Sequence, residues 1–167
     1  MININLLSRK YKVRRLNEND ISIILELCKK NTEYYDYCPP MVDEDSIKED
    51  IFALPENITY DDKYYVGLFD DEVLIAILDL ITNYPDEGTA FIGFFMVNKE
   101  NHNKGIGSLM IKEICDYLKN VGYKNIRLAW VKGNKQAENF WKKNGFIEKE
   151  ERKDQNNHSV VLASKNL

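Results

Sequence analysis

The chain's 167 residues suffice for one domain, over residues 1–167, and are too few for a second full core. Hydrophobic residues make up 44% and charged residues 30%, a balance expected of a soluble globular protein. No apolar run approaches the roughly 18 residues of a membrane span, and residues 1–10 lack the features of a signal peptide, so we expect no membrane association.

The net charge of −4 is divided unevenly along the chain. Residues 1–85 hold 9 Lys or Arg and 17 Asp or Glu, whereas residues 86–167 hold 14 and 10. Acidic surface attracts cationic ligands and basic surface attracts phosphates, so this division can reflect function; a solvated charged surface is the alternative. Because a nucleic-acid binder is usually more basic overall, we expect no nucleic-acid partner.

The cysteines and histidines give little sign of a disulfide or a metal site. Cys28, Cys38 and Cys115 form no CxxC pair, and an odd number of cysteines without a pattern indicates reduced thiols and a cytoplasmic setting. The two histidines, His102 and His158, lie far apart in the sequence, and we therefore expect no metal.

The N-terminal third is predicted to contain a strand followed by two helices. Residues 11–15 read as a short strand, and Asn17 with Asp20 approaches a capping box in front of an apolar helical face. Prolines 39–40 cannot continue a helix and break the helical region. A second short helix is predicted before Pro55.

Three largely apolar strands are predicted next. Residues 63–69 and 73–81 flank an acidic turn typical of a hairpin, and residues 89–97 follow a second turn. Because these strands are apolar on both faces, we expect them at the centre of the sheet, covered on both sides. Gly93 inside the third strand indicates a bulge or a close backbone approach; relief of packing against a bulky aromatic neighbour is the alternative.

The second half continues with a helix, a strand, another helix and a closing strand pair. Gly122 and Gly145 stand where they would end the two helices. The whole order is β-α-α-β-β-β-α-β-α-β-β, which predicts one α+β domain with a mixed sheet. The segments are 105–121, 124–131, 134–144, 146–152 and 158–164.

Gly105 and Gly107 lie where the third central strand has ended and a helix begins. A helix start presents unpaired backbone N–H groups and partial positive charge, and glycines let an anion reach those amides closely. Lys104 and Ser108 add a charge and a hydroxyl, so the segment is a candidate pyrophosphate cradle. It is neither a P-loop nor a GxGxxG fingerprint, because Met110 occupies the third glycine position. A tight strand-to-helix turn is the alternative.

Two segments resemble the GNAT superfamily of N-acetyltransferases. The stretch VNKENHNKGIG is similar to that family's coenzyme A pyrophosphate loop, Gln/Arg-x-x-Gly-x-Gly/Ala, with His102 at the Gln/Arg position and Lys99 where proline is common. The stretch NKQAENFWKKNGF is similar to a later helix of the family, whose asparagine, Asn134 here, contacts coenzyme A. The predicted element order agrees with the family over residues 11–163.

The resemblance implies a GNAT-like α+β domain with a mixed, largely antiparallel central sheet flanked by helices. It also implies that acetyl-CoA lies between two splayed parallel strands and is bonded by backbone groups of the strand before the loop. For Trp141, packing against the pantetheine and packing in the core both stay open. The implied coenzyme A contacts are Phe95, Met96, Val97, His102, Asn103, Lys104, Gly105, Ile106, Gly107, Ser108, Asn134 and Trp141.

The implied activity is direct transfer of an acetyl group from acetyl-CoA to a primary amine of a small molecule or a peptide. Trp141 stands at the position of the tyrosine acid of many members, and the strand before the loop lacks the glutamate base of others. The alternatives are therefore a GNAT-fold acyl-CoA-binding sensor or assembly protein without efficient catalysis, and a nucleotide-binding regulatory domain. We expect a monomer or a homodimer.

Other residues become candidates for the missing catalytic groups. Asp79 interrupts an apolar strand, and the raised pKa of a buried carboxylate suits a general base; a structural Asp paired with a buried cation is the alternative. Tyr35 or Tyr37 could supply the acid. In the family the segment between the first two helices rims the acceptor pocket, and aromatic rings with carboxylates suit a cationic amine. The candidates there are Glu33, Tyr34, Tyr35, Asp36 and Tyr37, with packing beneath the loop as the alternative.

Overall fold

The computed structural model describes residues 1–154 and 157–167. Within these residues, seven strands form one sheet and five α-helices flank it. The strands are β1 (Lys12–Arg15), β2 (Lys63–Asp70), β3 (Val73–Thr82), β4 (Thr89–Val97), β5 (Asn125–Val131), β6 (Ile147–Lys153) and β7 (Ser159–Asn166). The helices are α1 (Ile21–Lys29), α2 (Thr32–Tyr37), α3 (Glu44–Phe52), α4 (Ile106–Asn120) and α5 (Lys135–Lys143).

The sheet confirms the predicted mixed, largely antiparallel α+β fold. Its strand order is β1-β2-β3-β4-β5-β7-β6, and every neighbouring pair is antiparallel except β4 and β5. β2 and β3 are buried on both faces, as predicted from their apolar sequences. β6, in contrast, is an exposed edge strand, and its charged side chains discourage pairing with another chain.

Helices cover both faces of the sheet. Tyr64 and Tyr65, consecutive in β2, belong to separate buried clusters because the side chains of a strand alternate between faces. The first cluster joins one face to α4, where Ile114 is fully buried. The second joins the other face to α1 and α3 through Ile24 and Ile47. Burial of each such side chain contributes roughly 1.5–3 kcal/mol, so the sheet and helices form a stable frame.

The helical region before β2 departs from the predicted order by one helix. The capping box of Asn17 and Asp20 is present, but it caps a 3-10 turn over Glu18–Asp20 that leads into α1. After α1 the chain forms the additional short helix α2. Prolines 39–40 therefore end α2 and not the first helix, because a residue before proline disfavours the helical conformation.

β4 and β5 separate halfway along β4. They pair in parallel over residues 89–92 and 125–128 and no further. Gly93 follows the last pair and is the extra residue of a bulge opposite Asp79, which confirms the predicted bulge. A bulge bends and twists its strand, so the second half of β4 leaves β5 and a gap opens between them.

Candidate functional site

The gap between β4 and β5 opens into a cleft of about 1490 Å³. One end of the cleft, the helix end, is formed by the loop before α4 and by the start of α5. The other, the carboxylate end, is formed by Asp79, Gly93, Tyr34 and residues 53–58. Pockets for a single small ligand are typically about 300–1,000 Å³, so this cleft is larger than one such ligand requires.

The first turn of α4 is an uncapped helix start at the helix end of the cleft. Gly105 is the N-cap residue, with a φ of +75°, and has no side chain to bond the first amides. Asn103 is also left-handed, with a φ of +59°. The N–H groups of Ile106, Gly107 and Ser108 have no partner within the helix, and the helix dipole adds partial positive charge. An anion at this end would therefore meet several backbone donors.

The two loop glycines are required for different structural reasons. A Cβ at Gly105 would have no neighbouring heavy atom within 4 Å, so the left-handed φ is what favours glycine there. A Cβ at Gly107 would lie 3.2 Å from Phe140 Cε2 and 3.4 Å from Val97 Cγ2. Gly107 therefore also lets α4 approach α5 and β4 closely, a packing role that was not predicted from the sequence.

His102 ties the loop to the end of β4. Its Nε2 lies 2.8 Å from the carbonyl oxygen of Val97, the last residue of the strand. His102 and Asn103 both line the cleft, as do Phe95 and Met96. Lys104 is exposed and is not among the residues that line the cleft.

Two of the predicted coenzyme A contacts, Asn134 and Trp141, lie at the start of α5 and within it. Asn134 Oδ1 accepts a hydrogen bond from the Ala137 N–H at 3.0 Å, which makes Asn134 the cap of the helix. Trp141 packs edge-on against Phe140 and Phe146, with ring centroids 4.9 and 5.2 Å away. Asn134 and Trp141 are both buried and both line the cleft. Each therefore has a structural role and also borders the space for a ligand.

Asp79, at the carboxylate end, forms a buried ion pair. Lys63 Nζ donates to Asp79 Oδ2 at 3.0 Å, and the two side chains are 3% and 13% exposed, respectively. The other carboxylate oxygen, Oδ1, is buried without a hydrogen-bond partner among the described residues. Burial raises the pKa of Asp79, and the Lys63 charge opposes that rise. The pairing matches the structural alternative for Asp79, yet the residue also lines the cleft.

Gly93 lies against the same carboxylate. A Cβ at this position would lie 2.9 Å from Asp79 Oδ2 and 3.4 Å from its Cγ. Gly93 itself is exposed in the cleft, and its lack of a side chain lets the Asp79 carboxylate lie directly against the β4 backbone. The alternative expectation for Gly93, relief of packing against an aromatic ring, is wrong because its nearest neighbour is a carboxylate.

A comparison with known families agrees with this geometry. The model described as "Acetyltransferase (GNAT) family" matches residues 25–146, which is most of the chain. The chain belongs to the GNAT acetyltransferase family. Comparison with curated proteins gives no significant match.

Solved GNAT structures share the fold over nearly the whole chain at low sequence identity. An acetyltransferase from Thermus thermophilus has a TM-score of 0.76 and 14% identity, covering 95% of this chain and 97% of that one. The PaiA N-acetyltransferase from Thermoplasma acidophilum, solved in complex with coenzyme A, gives 0.66 and 18%, covering 94% and 99%. A spermidine N-acetyltransferase SpeG chimera from Vibrio cholerae and hSSAT gives 0.70 and 19%, covering 94% and 95%. Identities this low establish the shared fold alone.

Residues 33–37, which the GNAT resemblance predicts to rim the acceptor pocket, contribute less to this cleft than predicted. Tyr34 lines the cleft and packs against Phe94, with ring centroids 5.6 Å apart. Tyr35 instead packs in the second core cluster, where burial raises its pKa, and Tyr37 is exposed outside the cleft lining. The predicted acid role of these last two residues therefore has no geometric support. The reason is α2, which turns successive side chains in different directions.

The acidic residues of the same segment also lie outside the cleft lining. Glu33 forms an exposed ion pair with Lys99 Nζ at 2.9 Å, which links α2 to the turn after β4. Asp36 is exposed on α2. Glu33 and Asp36 were predicted to contact the acceptor, but both lie at the surface and neither lines the cleft.

Sequence reasoning missed two charged residues near Asp79. The β2–β3 register places Tyr65 opposite Asp79, so Lys63, two residues earlier, lies on the same face of the sheet. Asp50 on α3 is solvent-accessible, but the protein around it desolvates the carboxyl and, with the nearby Asp79 charge, raises its pKa to about 6. No sequence signal marked Lys63, because a register shift between Leu68 and Phe69 decides which residue of β2 lies opposite Asp79.

Other kinds of site find no support in the described part of the chain. Residues 1–154 and 157–167 contain no group of three or more His, Cys, Asp or Glu side chains that could hold a metal ion. None of the helices in those residues combines the length and the apolar character needed to cross a bilayer. Cys28, Cys38 and Cys115 all carry free thiols.

Proposed function

We propose that the protein transfers an acetyl group directly from acetyl-CoA to a primary amine of a small molecule or a peptide. The proposal depends on one observation: the uncapped start of α4 and the gap between β4 and β5 open into the same cleft. The first feature suits a pyrophosphate, and the second suits an extended thioester arm. Membership of the GNAT acetyltransferase family supports acetyl transfer as the chemistry.

The helix end supports binding of the coenzyme A pyrophosphate. The amides of Ile106, Gly107 and Ser108 are oriented together by the helix, so they need no rearrangement when an anion arrives. Asn134 adds a further donor, because its Oδ1 is taken by Ala137 while its NH2 group makes no hydrogen bond within the described residues. These groups suit a doubly charged anion better than a neutral ligand.

The second half of β4 supports binding of the pantetheine arm and the thioester. β4 stays paired with β3 as far as Val97, while its other edge loses β5 after Ile92. Backbone groups on that free edge can bond an extended ligand as an added strand would. Acetyl-CoA would bring the acetyl group as a thioester, and an N–H donor from this edge would stabilise the negative charge that develops on its oxygen.

The carboxylate end supports an amine as the acceptor. Glu56 and Asp79 are acidic residues that line this end, and Lys143, Arg152, Lys153 and Asp154 are the further Lys, Arg, Asp and Glu residues of the cleft lining. Acidic groups attract an ammonium ion, and the Tyr34 ring nearby adds an aromatic face. Asp79 is our candidate for the general base.

The first experiment is a calorimetric titration of the purified protein with acetyl-CoA, coenzyme A and ATP in parallel. We expect micromolar acetyl-CoA binding, about −8 kcal/mol, and no binding of ATP. A thiol-release assay then tests three amine probes with acetyl-CoA: spermidine, 2-phenylethylamine and a tripeptide with a free N-terminus. Release of coenzyme A thiol with at least one probe would support the proposal.

Three outcomes would point elsewhere. A folded sample that binds no acetyl-CoA would overturn both the enzyme and the acyl-CoA sensor. Tight acetyl-CoA binding without thiol release from any probe would favour the sensor or assembly alternative. ATP binding in place of acetyl-CoA would favour a nucleotide-binding regulatory domain.

We further propose that the chain is one domain over residues 1–167, that it is a monomer or a homodimer, and that it works in the cytoplasm. The three free thiols support a reducing compartment. Light scattering coupled to size-exclusion chromatography would give the oligomeric state directly.

A further inference from the structure

We propose that the acceptor is a small primary amine that carries an aromatic ring on a short linker, and that an apolar pocket at the carboxylate end binds this ring. The inference deepens the proposed function and rests on it. The pocket, which we name the Phe91 pocket, is formed by five residues that all line the cleft: Leu54, Ile58, Ile81, Tyr84 and Phe91.

The floor of the Phe91 pocket is one face of β3 and β4. Ile81 and Phe91 are direct partners in the β3–β4 register, and the Tyr84 ring packs edge-on against Phe91, with ring centroids 5.5 Å apart. Because side chains alternate along a strand, Ile81 lies on the same face of β3 as Asp79. The floor of the pocket therefore adjoins the carboxylate that is our candidate general base.

The loop between α3 and β2 forms a wall of the pocket. Asp62 ties this loop to the end of β3, because its Oδ1 accepts hydrogen bonds from Thr82 Oγ1 at 3.1 Å and from Asn83 Nδ2 at 3.2 Å. Leu54 and Ile58, earlier in the same loop, are half-buried and line the cleft. The loop is thus anchored to the sheet without a ligand, which lowers the ordering cost of binding one.

The side chains of the Phe91 pocket are not part of the protein core. Within residues 1–154 and 157–167, none of the five belongs to either buried cluster, and all except Ile81 are only half-buried. An apolar ligand that covers this surface removes it from water, which favours binding. Apolar and aromatic linings of this kind are typical of pockets for small molecules.

The position of the pocket along β4 limits the length of the linker. β4 ends at Val97, close to the loop before α4, so Phe91 lies toward the end of the strand that is away from the helix end of the cleft. The free edge proposed to hold the thioester begins at Gly93, two residues after Phe91. Two extended residues span about 7 Å at most, a distance that suits a linker of two or three carbon atoms between ring and nitrogen.

The charges near the pocket favour an acceptor with one ammonium group over one with several. Glu56, exposed in the loop that forms the wall, and Asp79 can attract an ammonium group at the edge of the pocket. The five pocket side chains carry no charge, and their one polar atom is the Tyr84 hydroxyl oxygen. A second ammonium group, as in spermidine, would lose its hydration there without an ion-pair partner among these side chains.

A ring bound in the pocket leaves the chemistry of acetyl transfer unchanged. The nitrogen loses one proton to a base, which releases it to solvent, and the neutral amine attacks the carbonyl carbon of the thioester. A C–N bond forms, and the C–S bond breaks with its electron pair on sulfur. The thiolate takes the second proton that the nitrogen loses. The products are an N-substituted acetamide, the coenzyme A thiol and one proton.

The main test compares kcat/KM for 2-phenylethylamine and for ethylamine, which differ by the ring. We expect wild-type protein to prefer 2-phenylethylamine by roughly 10- to 100-fold, the range expected for burial of one aromatic ring. Phe91→Ala removes part of the floor and should lower this ratio by roughly 10-fold. Phe52→Ala, which removes an exposed phenylalanine outside the cleft lining, is the matched control and should leave the ratio unchanged.

A second test changes the wall of the pocket. Ile58→Glu places a carboxylate beside the bound ring and should lower kcat/KM for 2-phenylethylamine by roughly 10-fold. It should also raise kcat/KM for spermidine, because the second ammonium group would then have an ion-pair partner. Ile58→Gln, similar in size and uncharged, is the control, and should lower the first value without raising the second. If Ile58→Glu changed neither value, the pocket would not bind the acceptor.

The outcomes separate this inference from the proposed function. If wild-type protein acetylates spermidine or the tripeptide at least as well as 2-phenylethylamine, or shows no preference for 2-phenylethylamine over ethylamine, the pocket proposal is overturned and the acetyltransferase stands. If it acetylates none of the amines, the proposed function itself fails. Should Phe91→Ala not fold, the two Ile58 variants decide, because they change a half-buried loop residue outside both core clusters.

Discussion

At the helix end of the cleft the groups proposed to bind a ligand are backbone amides of α4, whereas at the carboxylate end the proposed base is a side chain paired with a residue of a neighbouring strand. The helix end is built by consecutive residues, 103–108, around two left-handed φ angles. The carboxylate end joins Lys63 to Asp79, which is 16 residues away in the chain, and adds Gly93 from a third strand.

The difference teaches that the two ends should respond differently to substitution. At the helix end several backbone amides are proposed to bind the pyrophosphate together. One changed side chain there is therefore expected to weaken coenzyme A binding by a limited factor. At the carboxylate end a single carboxylate, that of Asp79, is proposed as the general base, so one change there should stop turnover. The following predictions test this contrast.

The largest effect is expected from Asp79→Asn, which keeps the shape of the side chain but removes its charge. Loss of the general base should lower kcat by about 10²–10⁴-fold, while acetyl-CoA affinity stays at its wild-type value. Steady-state kinetics with the best amine probe and calorimetry with acetyl-CoA provide the two numbers. Weakened cofactor binding would mean that the two ends are not independent, and normal turnover with a lowered melting temperature would leave Asp79 a structural ion-pair partner.

At the helix end, Ser108→Glu should separate binding from folding. Ser108 is the third residue of α4, where a glutamate suits the helix dipole, yet the new charge would stand beside the proposed pyrophosphate. We expect the Kd for coenzyme A to rise roughly 10- to 100-fold with no loss of thermal stability. Ser108→Gln, similar in size and uncharged, is the control. Equal effects of both would implicate the lost hydrogen bond from Asn144 Nδ2, which is 3.2 Å from Ser108 Oγ.

Asn134 allows a sharper separation, because its cap and its proposed ligand contact use different atoms. Asn134→Ala should lower the free energy of unfolding by about 1 kcal/mol and also weaken coenzyme A binding. Asn134→Ser retains an oxygen that can cap α5 but has no NH2 group, so it should regain stability and not affinity. Thermal unfolding and calorimetry of both variants give the comparison. If serine restored affinity as well, Asn134 would act through the cap alone.

Changing Gly105 or Gly107 to alanine should lower the free energy of unfolding by about 1 kcal/mol in each case, for different reasons. Gly105→Ala strains a left-handed φ, whereas Gly107→Ala crowds Phe140. Combining each change with Phe140→Leu makes a double-mutant cycle in urea unfolding. We expect coupling for Gly107 and additive effects for Gly105; equal coupling would contradict the packing role of Gly107.

The smallest effect is a pH dependence at Asp50, beside the carboxylate end. Its pKa is raised to about 6, above the roughly 3.9 of an unfolded chain, so the folded state binds the proton more tightly. Asp50 therefore makes the free energy of unfolding fall as pH rises from about 4 to about 6. Asp50→Asn should gain stability relative to wild type across that window and keep the gain at pH 7. Urea unfolding at the two pH limits measures this gain in the free energy of unfolding. The gain is expected to be small because Asp50 is exposed to solvent.

Much of the fold could be predicted because residues close together in the sequence indicate where a strand or helix begins and ends. β4 spans its predicted bounds, and α4 and α5 stop before Gly122 and Gly145, which both adopt a left-handed φ. α2 was missed because its six residues are too few for a helical period to show. Its rotation then left Tyr35 and Tyr37 outside the cleft lining, so the acceptor side was the least accurately predicted part of the site.

The sequence by itself determined the order of the strands along the chain, the loop that starts α4 and the family. These features depend on neighbours along the chain: the period of apolar residues, the capping positions and the glycines that take a positive φ. Only the tertiary structure decided that Lys63, Asp79 and Gly93 meet, and that Tyr34 lines the cleft. Strand register and helix rotation are set by packing of the whole sheet, and a register shift of one residue would have moved the side chains of Lys63 and Asp79 to the opposite face.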